Sequence, residues 1–183
     1  MSDGGNIAME LAEDHVYIQS LLTQAMSLSP GDNGRRGVIN EASVWLLRHT
    51  SAEERFLYPA IREHLPEGDG LALEQELERV RIVGLIEGVA ERENQDEVFE
   101  ELLQQLFVAV GAHITALDTT LLPMLLDTCL PEEAEDLGRR IRSVKRGVRA
   151  RPIAGPEHAA AGAQTGQDSD SAARWVDPDS APW

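Results

Sequence analysis

The chain has 183 residues, enough for one domain with a real core and a tail. Hydrophobic residues make up 42%, which excludes disorder throughout, and aromatics only 4%, which favours helices over a β-sandwich. A net charge of −16 repels nucleic acid and anionic membranes, and the single Cys129 excludes an intramolecular disulfide.

No 18-residue run is wholly apolar, and the N-terminus lacks a basic segment followed by an apolar one. The expectation is a cytoplasmic protein with neither nucleic-acid nor membrane partners.

The first helix is expected over about residues 6–28, where Ile7, Leu11, Ile18, Leu22 and Ala25 recur at helical spacing with His15 on the same stripe. Residues 29–34, rich in Gly, Pro, Asn and Asp, break it. A second helix is expected over 35–64, with Val38, Ala42, Trp45, His49, Ala52 and Phe56 inward and Pro59 kinking or shortening it. After a break at 65–70, a third spans roughly 71–92. Its apolar residues Leu77, Val80, Ile82, Leu85, Ile86 and Val89 nearly surround it, so spacing does not settle its inner face.

A fourth helix is expected over 96–128, with Phe99, Leu102, Leu106, Val110, His113, Leu117 and Met124 inward and Pro123 near its end. A fifth, amphipathic helix starts at Pro131, with acids in its first turn and basic residues from Arg139 to Arg149 in its later ones, as the helix dipole favours. Beyond Arg151 large aliphatics nearly vanish, and 152–183 reads as a disordered tail. The fold class is therefore all-α: an up-down-up-down four-helix bundle with an additional C-terminal helix, formed by residues 1–151.

His15, His49 and His113 fall on the inward stripes of three different helices. One histidine on an apolar stripe is usually a hydrogen-bonded core residue. Three, with carboxylates beside them, need shared partners, because burying unsatisfied imidazoles costs a few kcal/mol each. Glu53 follows His49 by four residues and so shares its helical face, an arrangement by which bundles build carboxylate-bridged metal sites. Asp118 follows His113 by five. The two segments also resemble each other: Pro59 and Pro123 each come ten residues after a His, with a carboxylate between.

These pieces together resemble the hemerythrin HHE family: Asp14 and His15, then His49 to Glu53 ending in Leu57, Tyr58 and Pro59, then His113 ending in Leu122 and Pro123. The stretch from Leu130 to Arg140 is similar to the family's C-terminal helix, so the resemblance covers about 6–150. It implies a four-helix bundle with a carboxylate-bridged non-haem di-iron site. His15, His49 and His113 match terminal ligands and Glu53 one bridge. Asp118 resembles the second bridge, but an offset of five turns a residue about 140° around an ideal helix. It needs a distorted helix, such as a π-bulge, to reach the core.

The pattern fails at the third helix, which has no histidine. Arg79 stands at the matching position and cannot ligate a cation. An asymmetric site is expected: one metal held by His15, His49 and Glu53 with Asp118, and a second position weak or empty. Arg79 is expected to pair with Asp118 or Glu53, and Glu76 is a lesser substitute ligand.

The function so implied is a metal-binding protein, with iron as cofactor, whose partner is a small diatomic ligand (oxygen or nitric oxide) or peroxide. Zinc and manganese accept the same donors. Two alternatives stand beside it. One is a mononuclear or di-iron non-haem enzyme acting on peroxide or a small organic substrate. The other is a metal-free bundle acting as an interaction module.

Overall fold

The computed structural model describes residues 5–94 and 96–147; the tail expected over 152–183 lies outside them. The described part is all-helical. Helix α1 spans Ile7–Ser27, α2 Asn33–Ala52, α3 Tyr58–His64, α4 Gly68–Ala90, α5 Glu97–Ala116, α6 Leu122–Thr128 and α7 Pro131–Gly147. Three of the long helices open on a side-chain cap: Asn6, Asp32 and Asp96 accept from the backbone N–H of Met9, Gly34 and Val98.

Helices α2 and α3 form one rod, joined by a π turn at Glu53–Leu57, and α5 and α6 form another, joined by a π turn at Leu117–Leu121. Both turns have the same cause. Pro59 and Pro123 lack the N–H that an α-helix would use and crowd the carbonyl one turn back. In place of the usual bond, Tyr58 N–H reaches Glu53 O and Leu122 N–H reaches Leu117 O, five residues back. Sequence spacing anticipated irregularity near Asp118. At Pro59 it anticipated a kink, and the chain instead inserts an identical wide turn.

Each π turn re-phases the helix beyond it. Met124, expected inward, is 38% exposed, while Leu121, Leu122 and Leu125 are buried. In the other rod Phe56 lies only partly buried, and Leu57 and Tyr58 take the core positions. On α4, Leu77 and Val80 face outward and Ile82, Leu85, Ile86 and Val89 face inward.

Helix α1 packs on α2 and α5, and α4 on α5 and the α2–α3 rod, giving the expected bundle. By length and mean hydropathy, 1.4, Glu97–Thr128 could cross a bilayer. In the bundle its apolar side supplies Phe99, Leu103, Leu106 and Val110 to the core. Helix α7 lies across α1 and α2. Its crossing is close: a Cβ on Gly138 would stand 2.4 Å from Gly5 O, so only glycine fits there.

The core divides along the bundle axis. One apolar cluster includes Ile7, Leu11, Ala52, Leu57, Ile61, Leu117 and Leu125, and the next includes Ile18, Leu22, Leu46, Ile82, Ile86, Leu106 and Val110. In each inward stripe, the residues between these two clusters are polar.

Candidate metal centre

That polar layer contains His15, His49, Glu53 and His113, all essentially buried. Three rods supply them: His15 comes from α1, His49 and Glu53 from the last turn of α2 and the π turn that follows it, and His113 from the last turn of α5. His15 Nε2 lies 3.1 Å from His49 Nε2. Glu53 Oε1 lies 3.2 Å from His49 Nε2 and 3.1 Å from His113 Nε2. One ligand atom each from His15, His49 and Glu53 falls within 4.8 Å of the others.

The other imidazole nitrogens are held from behind. His15 Nδ1 lies 2.7 Å from Asp118 Oδ1, and His49 Nδ1 lies 3.2 Å from Asp14 Oδ2. A carboxylate accepts, so both Nδ1 atoms carry their protons and donate. This turns the two Nε2 atoms toward the same point, beside a carboxylate oxygen. Asp118 stands in the second π turn and meets His15 from behind, outside the three converging donors. Asp118 meets His15, and at 36% exposed it is the one predicted ligand open to solvent.

His113 differs from the other two. Its Nε2 meets Glu53, but its buried Nδ1 has no hydrogen-bond partner among the described residues.

Electrostatics asks for positive charge where these donors meet. Burial opposes a charge on His49, but Glu53 and the hydrogen bond to Asp14 outweigh it and raise its pKa to about 9. Burial and the charge of His49 together lower His15 to about 4. Burial would raise Glu53, yet the His49 and His113 imidazoles hold it well below the carboxylate range. At neutral pH the chain thus places one proton on His49, beside the neutral His15 and the ionised Glu53. A cation at this point would replace that proton. Two donors about 2.1 Å from one cation and at right angles are about 3.0 Å apart, close to the spacings here, so the donor set fits a metal.

Two expectations are corrected. Arg79 does not pair with Glu53 or Asp118. Its Nη2 lies 3.1 Å from Glu54 at the rim, because Glu54, next in sequence to Glu53, turns outward toward α4. Glu76 is bound to Arg62 at 2.7 Å on the surface and offers no ligand.

Sequence reasoning left three residues out of the centre. Asp14 sits on the inward stripe between Leu11 and Ile18, a signal that was available. Tyr58, fully buried by the first π turn, brings its hydroxyl 3.5 Å from Glu53 Oε2. Lys145, on α7, lies 2.7 Å from Asp14 Oδ2, and nothing in its spacing points there.

An open groove of about 680 Å³ runs between α1 and α5, and His15 and Asp118 are among the residues that line it. Gln19, Ser20 and Thr23 give it a neutral polar wall.

Residues 6–125 match the family model of the hemerythrin HHE cation-binding domain. Among solved structures, the chain is similar to a hemerythrin HHE cation-binding domain-containing protein from Mycobacterium kansasii, with a TM-score of 0.68 and 17% identity over 78% of this chain and 86% of that one. No curated protein matches the chain significantly.

Proposed function

The chain belongs to the hemerythrin HHE cation-binding family, and from that premise we propose that it holds one iron ion through His15, His49 and Glu53 and presents it to a small ligand, oxygen, nitric oxide or peroxide. The observation that carries this reading is the convergence of three buried ligand atoms, one each from His15, His49 and Glu53, within 4.8 Å of one another.

Iron there would supply a Lewis-acidic, redox-active position. The chain's residues do the rest. Asp14 and Asp118 fix the tautomers of His49 and His15 and make both Nε2 atoms donors. The apolar clusters above and below the centre close it along the bundle axis. The groove lined by His15 and Asp118 gives a small ligand its approach. Its lining holds Asp118 and no Arg or Lys, which favours uncharged molecules such as peroxide over organic anions.

A second tight metal is not part of the reading. Its terminal ligands would come from α4 and α5, and α4 supplies Arg79, which pairs with Glu54 and cannot ligate a cation, so only His113 remains. A net charge of −16 disfavours nucleic-acid and anionic-membrane partners, and the reading takes the protein as cytoplasmic and without them.

The test is elemental analysis of protein purified without added metal. The wild type should carry close to one iron per chain and His49→Ala none. Chelation should lower the melting temperature of the wild type only, since a metal at one hundred times its Kd adds about 2.7 kcal/mol. If neither protein holds metal, even after anaerobic iron loading, the reading is wrong. Zinc or manganese in place of iron would keep the site and change the chemistry.

A further inference from the structure

Helix α7 lies outside the residues that match the family domain, yet it reaches the centre. Lys145, the chain's only lysine, is largely buried against α1. Its ammonium donates to Asp14 Oδ2 at 2.7 Å and to Glu10 O at 2.6 Å. Asp14 Oδ2 is the same oxygen that accepts from His49 Nδ1. A continuous line of contacts thus runs from α7 through Asp14 to a donor of the proposed cation.

The surrounding contacts hold this line in place. Arg142, one turn before Lys145, pairs with the buried Glu10 and donates to Gly5 O. Arg48, beside His49, donates to the backbone carbonyl of Lys145. Helix α7 is therefore fastened to both helices that supply the first two histidines, and its close crossing at Gly138 fixes its height.

We propose that Lys145 is a positioning residue of the metal centre, which orients Asp14 and through it His49, so that docking of α7 and cation binding strengthen each other. The physical ground is that a partner of a ligand's partner sets the angle and basicity of the ligand. Coupling of two binding events is reciprocal, so what α7 contributes to the cation the cation returns to α7. The proposal rests on the reading of His15, His49 and Glu53 as a cation site.

The experiment uses the full chain and cobalt(II) as probe, in the wild type, Lys145→Met and Lys145→Arg. Affinity and the visible absorption of the bound ion are read together, with amide hydrogen exchange across α7 and α4. Lys145→Met should bind cobalt about 10-fold more weakly, the lower end of the range for such partners, with a shifted spectrum. Lys145→Arg, which keeps charge and donors, should recover most of both. Cobalt should slow exchange in α7 of the wild type, and this slowing should be lost in Lys145→Met.

A Lys145→Met chain that melts earlier but binds cobalt with unchanged affinity and spectrum would overturn the proposal and leave the cation site standing. Exchange in α7 that is indifferent to cobalt would do the same. Failure of the wild type to bind cobalt would remove the cation site itself and the proposal with it.

Discussion

The two halves of the bundle carry the same backbone device and furnish it differently. In each, a rod delivers a histidine, opens into a π turn at a carboxylate-bearing segment and resumes at a proline. In the first half, α1 adds His15 and the supporting Asp14, and Lys145 braces Asp14 from α7. In the second, α4 adds no ligand. Arg79 turns to Glu54, and the Nδ1 of His113 is buried without a hydrogen-bond partner among the described residues. The difference teaches that helix geometry alone does not make a metal site. The supporting carboxylates and the neighbouring helix decide which half becomes one.

Four changes would break or sharpen this contrast. The largest effect belongs to Glu53, which is fully buried and serves both halves. Glu53→Ala should abolish cation binding and cost about 3–5 kcal/mol in a denaturant melt of the metal-free protein, because it leaves the buried His113 without a hydrogen-bond partner among the described residues and His49 with Asp14 alone. Next come the two histidines. His49→Ala should eliminate tight binding, whereas His113→Ala should weaken it by about 10-fold or less, as read by titration calorimetry, since only the first half is braced from behind. Equal losses would erase the distinction between the halves.

The third effect is pH dependence. With the His49 pKa raised to about 9, a cation entering at pH 7 must expel that proton. Affinity should therefore rise about tenfold per pH unit and level off above about 9, measured by competition with a chelator of known pH dependence. Affinity that is flat from pH 7 to 9 would mean the cation binds elsewhere. The smallest effect is that of Arg79→Ala. Its partner Glu54 is 53% exposed, so the pair is worth less than about 1 kcal/mol, and both stability and affinity should barely change.

Much of this was legible in the sequence. Apolar spacing located the long helices within a few residues of their observed ends, and the repeat of His and Pro ten residues apart marked the two rods. Spacing also identified the irregularity at Asp118, which stands in the second π turn and meets His15 from behind. It could not show that a second π turn stands at Glu53–Leu57, because a proline in a helix is equally compatible with a kink. That turn carries Tyr58 into the core and Phe56 toward the edge. The wrong phase for Met124 has the same origin, since a strict 3.6-residue period fails past an inserted turn.

The reading of Arg79 failed for another reason. Position on a helix fixes where a side chain begins, and a long arginine then follows the nearest available carboxylate, here Glu54 at the rim. Lys145 was hidden because its contact with Asp14 joins residues 131 positions apart, with no local pattern to announce it.

The account's central claim is one furnished half and one unfurnished half, and anaerobic titration of the metal-free chain with iron(II) tests it most directly. The prediction is a single tight equivalent per chain, with any second binding far weaker. Two equivalent tight irons per chain would contradict it, since the second could be held only by a half that this structure leaves without a terminal ligand from α4.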